Sequence, residues 1–316
     1  MNSFHTPVLL KEVVEYLKIE KGKKYIDATV GGGGQTVEIL KRGGIVLGID
    51  CDQEAIDCVK QDLSNVILSE AKDLGSSQAS PDQNDRKCVT LVKGNFRDID
   101  KIAHLNNFDK VAGIIFDLGV SSHQLEVPGR GFSFQKEGPL DMRMDKDLAV
   151  QAKDLLQVLT KGELYELFSK LGEESNARRI SEYIVSARKV KPIETTQDLA
   201  LIIERAYGMK RGATSANARA SADKKVFQAL RIAVNDELNA LRETLPKGVK
   251  LLEENGRLLV ISFHSLEDRI VKQSFIEFQE RRIGKIITKK PISPCIEEIN
   301  KNKRSRSAKL RVFKKI

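Results

Sequence analysis

Residues 25–36 read YIDATVGGGGQT, and residues 45–52 read IVLGIDCD. In the first stretch, strand-forming residues (Tyr25, Ile26, Val30) run into four consecutive glycines at 31–34, and residues 36–41 then read as a helix. Glycines in such a loop let backbone N–H groups approach a ligand with no Cβ in the way, and the following helix turns its positive end to the same place. The second stretch is a strand, 45–49, that delivers Asp50 at its carboxyl end. In a doubly wound sheet an acid at that position accepts hydrogen bonds from both ribose hydroxyls of a nucleoside. Together the two stretches predict an α/β fold whose parallel sheet opens with an adenosine-binding βαβ unit.

Three ligands fit such a unit to different degrees. A dinucleotide calls for G-x-G-x-x-G, and although Gly31 and Gly33 match, Thr36 stands where the third glycine belongs. A phosphate loop needs Gly-Lys-Ser/Thr, and no lysine follows Gly34. S-adenosylmethionine needs the ribose acid and a glycine loop open enough for an amino-acid tail. The bland alternative is a flexible turn at 31–34 with Asp50 as a surface acid.

The chain has 316 residues and a formal net charge of +9, enough length for one large domain or two smaller ones. The excess is concentrated in residues 269–316, which hold 15 Lys and Arg against 4 Glu and no Asp. Such a block is a solvated face or arm, or the footprint of a polyanion partner. No apolar run is long enough to span a membrane and residues 1–10 lack a signal-peptide pattern, so a cytoplasmic protein is expected. Cys51, Cys58, Cys88 and Cys295 are scattered without a C-x-x-C pair, which supports neither a metal site nor a disulfide framework.

Outward from the glycine loop, residues 7–17 and 53–63 show helical spacing, and residues 64–87 break it with Ser, Asp, Gln, Asn and Pro, as a surface insertion does. A strand at 88–92 leads to Phe96, placed either to stack on an adenine or to fill the core. Residues 111–117, VAGIIFD, are the apolar run of a strand buried on both faces, ending in Asp117 beside the expected switch point. The long connection after it mixes arginines, aromatics and acids: Arg130, Phe132, Phe134, Asp141 and Arg143. Loops of that length on a rigid sheet tend to be functional. Four helical periods fill 150–212, with Arg178, Arg179, Arg188, Lys189 and Lys191 as a basic element, and 226–245 reads as one amphipathic helix. A fifth strand, 256–263, ends at His264, and Ser265 with Asp268 suggests a capping box for a helix over 268–278. The expected division is a sheet domain in two parts, 1–145 and 216–316, around an all-helical subdomain at 146–215.

The blocks HTPVLL at His5, DATVGGGGQT at Asp27, GID at Gly48, FDLGVSSHQL at Phe116, RGFSF at Arg130, GPLDMRMD at Gly138, FQALRIAVNDEL at Phe227 and ISFHSLEDRIVK at Ile261 closely resemble the ribosomal RNA small subunit methyltransferase H family, in order and over essentially the whole chain. The resemblance implies a class I, Rossmann-like methyltransferase that uses S-adenosylmethionine to methylate N4 of one cytosine in the decoding centre of 16S rRNA. It implies the small ribosomal subunit as partner and cofactor contacts at Gly33, Gly34, Gln35, Asp50, Phe96, Asp117 and Gln124. Two departures stand out. Gln35 occupies a position commonly histidine in the family, and residues 64–87 lengthen a connection without interrupting a motif. The amine-methyltransferase pattern D/N/S-P-P-Y/F is replaced by DLGVSS, so the catalytic group is open among Asp117, Asp141 and His264. Arg130, Phe132, Phe134 and Arg143 are candidate substrate contacts, the aromatics by stacking on an exposed or flipped base. A non-catalytic RNA-binding assembly factor and a nicotinamide-dependent oxidoreductase are the competing functions. The chain is a monomer or a homodimer.

Overall fold

The computed structural model describes residues 7–73, 88–208 and 216–316. His5 and residues 74–87 and 209–215 lie outside them. In chain order the elements are α1 (Leu10–Leu17), β1 (Lys24–Asp27), α2 (Gly34–Lys41), β2 (Ile45–Asp50), α3 (Gln53–Asp73), β3 (Val89–Lys93), α4 (Ile99–Leu105), β4 (Val111–Asp117), α5 (Ser122–Glu126), α6 (Ala152–Val158), α7 (Lys161–Leu171), α8 (Ala177–Arg188), α9 (Thr196–Ala206), α10 (Ala216–Asn235), α11 (Glu237–Leu251), β5 (Leu252–Ser262), α12 (Ser265–Glu280), β6 (Gly284–Ile286), α13 (Ile296–Lys301) and β7 (Lys309–Lys315).

They form two compact units. Residues 1–121 and 238–316 make the sheet unit, and 122–237 make the helical one. The helical unit extends past the expected 146–215 at both ends. Its amino-terminal loop bridges to the helices at Pro139–Thr195, and Val226, Ala229 and Leu230 of α10 belong to its buried core.

The sheet has seven strands in the order β3-β2-β1-β4-β5-β7-β6. The first five run parallel, with Asp27 opposite Ile115 and Asp117 opposite Ile261. Strand order reverses between β1 and β4, the place where open α/β sheets hold their ligands at the strands' carboxyl ends. Val46, Leu47, Ile114, Ile115, Leu259 and Ile261 are fully buried, as a central parallel sheet covered on both faces requires. On one face α1 inserts Val13 and Leu17 among Tyr25, Ile115, Leu259 and Leu310. On β7, Phe313 packs against Phe275 and Phe278 of α12, with ring centroids 5.3 and 5.7 Å away.

Several local expectations change. Helix α3 continues to Asp73, ten residues into the stretch that polar composition marks as a loop. The single helix expected over 226–245 is two, α10 and α11, broken where Asp236 takes φ 49° and the Asn235 side chain turns to donate to Met142 O (2.8 Å). Helical periodicity runs on across that break because both helices are amphipathic, so spacing alone does not reveal it. The basic carboxyl-terminal stretch is no loose arm. Residues 309–315 enter the sheet as β7, antiparallel to β5, and Arg311 is anchored by Asp268 at 2.6 and 3.1 Å.

Candidate active site

Four strands deliver acids to one edge of the sheet unit: Asp27 from β1, Asp50 from β2, Asp117 from β4 and, just beyond β5, Glu267. Between β1 and α2 lies the glycine loop. Gly33 caps α2 with φ 75°, and an added Cβ would stand 2.9 Å from Val59 Cγ2. At Gly31 (φ 50°) such a Cβ would stand at ordinary contact distance from Thr29 O and Ser121 Cβ, 3.9 and 4.0 Å, so the first glycine is needed for its backbone angle while the third is pressed onto α3.

Side chains rather than glycines hold this loop in place. Asp50 accepts from Gly31 N through Oδ2 (2.8 Å) and from Asp52 N through Oδ1 (2.9 Å). Thr36 Oγ1 donates to Asp27 Oδ2 (2.7 Å), and the Asp117 amide donates to Thr29 Oγ1 (2.6 Å). Gln35 Nε2 donates to Asp117 Oδ2 (2.8 Å). The result is a lattice from β1 through the loop to β4 in which neutral groups, Thr36 and Gln35, bond the carboxylates of Asp27 and Asp117.

That neutrality sets the electrostatics. Burial pushes the Asp27 carboxyl up to about 6, against the hydrogen bonds from Thr36 and Thr29 that stabilise its charge, and the nearby negative charge of Asp50 adds to the rise. Asp117 is pushed up to about 7, first by loss of hydration, then by the negative charges of Asp27 and Glu267, with the Gln35 hydrogen bond opposing. An acid that is half-ionised near neutrality at a ligand-binding strand end is suited to accept a proton.

His264 acts first as a cap. The expected box of Ser265 with Asp268 is displaced by one residue: His264 Nδ1 accepts from Glu267 N (3.3 Å), and Glu267 Oε2 accepts from Phe263 N (2.8 Å) and His264 N (3.2 Å). Asp268 is thereby left for Arg311 and Lys309, so α12 starts at Ser265. Phe96 is half-buried and set edge-on to Phe116 at 5.8 Å.

The remaining candidates lie in the helical unit. Gln124 is buried in α5. Arg130 is 4% exposed, and its Nη2 donates to the carbonyls of Arg143 (3.0 Å) and Met144 (2.9 Å). Arg143 grips Asp141 with Nε (2.7 Å) and Nη2 (2.9 Å) and donates Nη1 to Leu148 O, which holds the Asp141 carboxyl below its ordinary range despite partial burial. Gly131, at φ 71°, brings the two halves of the loop together, for a Cβ there would sit 2.2 Å from Pro139 O. Phe132 is buried 5.9 Å from the Arg130 guanidinium, and Phe134 packs edge-on against Phe227 at 5.8 Å. These residues are brought together as a self-bonded loop. Sequence reasoning does not single out Asp27, Thr29, Thr36 or Glu267. Asp27 and Thr36 stand inside the DATVGGGGQT block, and their nine-residue separation is a hint only once the helix register is known.

The whole chain, residues 2–316, matches the family model described as the MraW methylase family. The chain belongs to that family. It is 45% identical over 316 residues to a "Ribosomal RNA small subunit methyltransferase H" of Persephonella marina, with 99% of each chain covered. It is 42% identical over 333 residues to the protein of the same name from Halothermothrix orenii, with 99% of this chain and 98% of that one covered. Among solved structures, a putative methyltransferase from Streptococcus mutans in complex with SAH is similar at 12% identity and a TM-score of 0.43, covering 99% of this chain and 100% of that one. As a member of the MraW methylase family, this chain is an S-adenosylmethionine-dependent methyltransferase with a class I, Rossmann-like sheet.

The residues present fit that cofactor. Asp50 stands at the carboxyl end of β2 with its carboxylate turned to the glycine loop, where it accepts from Gly31 N, the place an acid that bonds ribose hydroxyls takes in such a sheet. Phe96, half-buried just past the end of β3, offers an aromatic ring.

Proposed function

We propose that this methyltransferase transfers a methyl group to N4 of a cytosine in the decoding centre of 16S rRNA, within the small ribosomal subunit. Two features support this reading: whole-length identity to relatives named for small-subunit rRNA methylation, and an uncompensated Asp117 at the carboxyl end of β4. The second is the observation on which the chemistry rests. Within the sheet unit, Gly33, Gly34, Gln35, Asp50, Phe96 and Asp117 are proposed to hold the cofactor, which when bound supplies an electrophilic sulfonium methyl.

The cytosine amine is a poor nucleophile because its lone pair is delocalised into the ring. An acceptor for one N–H draws the nitrogen towards pyramidal geometry and frees that pair. Asp117 Oδ2 is held by Gln35, so Oδ1 is assigned to the amine. When the new N–C bond forms and the S–C bond breaks, N4 carries one proton too many, and Asp117 Oδ1 takes it. A carboxyl near 7 is a better base for this than an ordinary aspartate, and the group returns its proton to water after product leaves. Asp141 is reassigned from catalysis to holding the loop through Arg143.

The test is methyl transfer from labelled S-adenosylmethionine to small subunits lacking the modification, followed by digestion and nucleoside identification by mass spectrometry. Label in N4-methylcytosine is the expected result. Cofactor binding with no label in any small-subunit RNA would overturn the substrate assignment, and absence of cofactor binding as well would favour a non-catalytic assembly factor.

A further inference from the structure

The basic stretch that charge alone left ambiguous is partly consumed by the fold. Lys309 and Arg311 are tied to Asp268, Lys315 donates to the carbonyls of Lys250 and Leu252, and Arg281 pairs with Glu277. The cations at 289, 290, 303 and 306 are exposed, and their placement follows from β7.

Because β7 runs antiparallel to β5, its first residue, Lys309, lies opposite Ser262, at the carboxyl end of the parallel strands. The turn that feeds β7 therefore emerges at the same edge of the sheet as Asp117 and His264. That turn is a 3-10 helix, Lys303–Ser307, started by Asn302, whose side chain accepts from Arg304 N (3.1 Å). Ser305 is fully buried and points the turn inward. At three residues per turn Lys303 and Arg306 then eclipse on one outward face.

Beside it, the chain leaving β6 pairs with β7 at Ile287 and again at Ile292, where both backbone bonds to Leu310 form (2.8 and 2.9 Å). Between these points Thr288 Oγ1 accepts from Val312 N, so residues 289–291 bulge from the sheet edge with Lys289 and Lys290 at the tip. Lys289, Lys290, Lys303 and Arg306 thus stand on two short, internally bonded supports, in a segment where the acids are Glu297 and Glu298. Glu298 is already engaged by Leu9 N at 2.8 Å.

We infer that Lys289, Lys290, Lys303 and Arg306 form a docking surface for the sugar-phosphate backbone of structured RNA, at the edge of the sheet unit that also carries Asp117. This rests on the RNA reading of the preceding subsection and assigns to it a contact that positions without reading sequence. Rigid backbone supports reduce the ordering cost of binding for these long side chains. The bland role for lysines on a sheet edge is to deter pairing with another chain, and either sign of charge serves that purpose. An RNA contact requires positive charge.

The experiment compares wild type with K289E/K290E and K303E/R306E, and with K289R/K290R as the conservative control. The readouts are methyl-transfer kinetics on unmodified small subunits and direct binding of a labelled 16S rRNA fragment at several salt concentrations. The Glu variants are expected to raise the subunit KM about tenfold and to flatten the salt dependence of binding by about one unit of log–log slope for each phosphate no longer neutralised, with kcat and cofactor affinity unchanged. K289R/K290R should behave as wild type. Unchanged KM and salt slope in both Glu variants would overturn the inference and leave only the edge-guarding role, which charge of either sign serves. If wild type methylates no subunit, the functional reading fails, and the binding arm still decides the docking surface.

Discussion

The long loop of the helical unit and the strand ends around the glycine loop of the sheet unit treat charge in opposite ways. In the helical unit the long loop turns its charged groups on each other: Asp141 is clamped by Arg143 and held below its usual range, and the Arg130 guanidinium is spent on two carbonyls. In the sheet unit Asp27 and Asp117 are bonded by Thr36, Thr29 and Gln35, and both are pushed up, to about 6 and about 7. Paired charges organise a backbone. Asp27, buried, and Asp117, half-buried, have neutral donors and stay responsive to a proton, and that is the difference between a scaffold and a reacting group.

The largest expected effect tests that distinction directly. Asp117→Asn keeps the shape and removes the base, so kcat should fall by about a thousandfold while cofactor affinity, read by calorimetry, changes by less than about tenfold. An equal loss in both would make Asp117 a cofactor contact only. Next, Arg130→Ala leaves the carbonyls of Arg143 and Met144 without their donor and should cost about 2–3 kcal/mol of stability in denaturant unfolding. Activity well below the melting transition should survive it better than it survives Asp117→Asn; the reverse ranking would make Arg130 a substrate contact.

A third prediction concerns pH. The folded-state values of Asp27 and Asp117 are raised above 3.8, so the native state binds more protons than the unfolded state from about pH 4 upward. Stability is therefore greatest at low pH with respect to these groups and declines as pH rises through about 6–7. Asp27→Asn keeps an acceptor for Thr36 and removes a charge, so the variant should gain on wild type in thermal stability between pH 5 and 8, by no more than about 3 kcal/mol. It also removes a charge that raises Asp117, so the acid limb of the rate profile should move to lower pH. The smallest effect is at Gln35. Gln35→Ala deletes the bond that opposes the rise in Asp117, and the acid limb should move to higher pH; an unshifted limb would show that Gln35 does not tune this acid.

Much of this is legible in the sequence because it is local. The apolar run of β4 matches its boundaries, 111–117, and the four helices after the loop lie where their periods fall. Asp50 and Asp117 are readable as acids that end strands. The break at Asp236 is not, since two amphipathic helices in sequence keep the same spacing. Nor is the one-residue shift of the α12 cap: Ser265/Asp268 and His264/Glu267 are both acceptable boxes, and Asp268 is claimed by Arg311, 43 residues later.

Composition and spacing by themselves determined the parallel sheet, the glycine loop and the positions of the acids at strand ends, because each depends on the conformational preferences of neighbouring residues. Only tertiary structure decided which charges are neutralised and which are left to act. That Arg143 belongs to Asp141, that Thr36 reaches back to Asp27, and that the basic tail becomes a strand flanked by exposed Lys289, Lys290, Lys303 and Arg306 are outcomes of register and burial rather than of local preference.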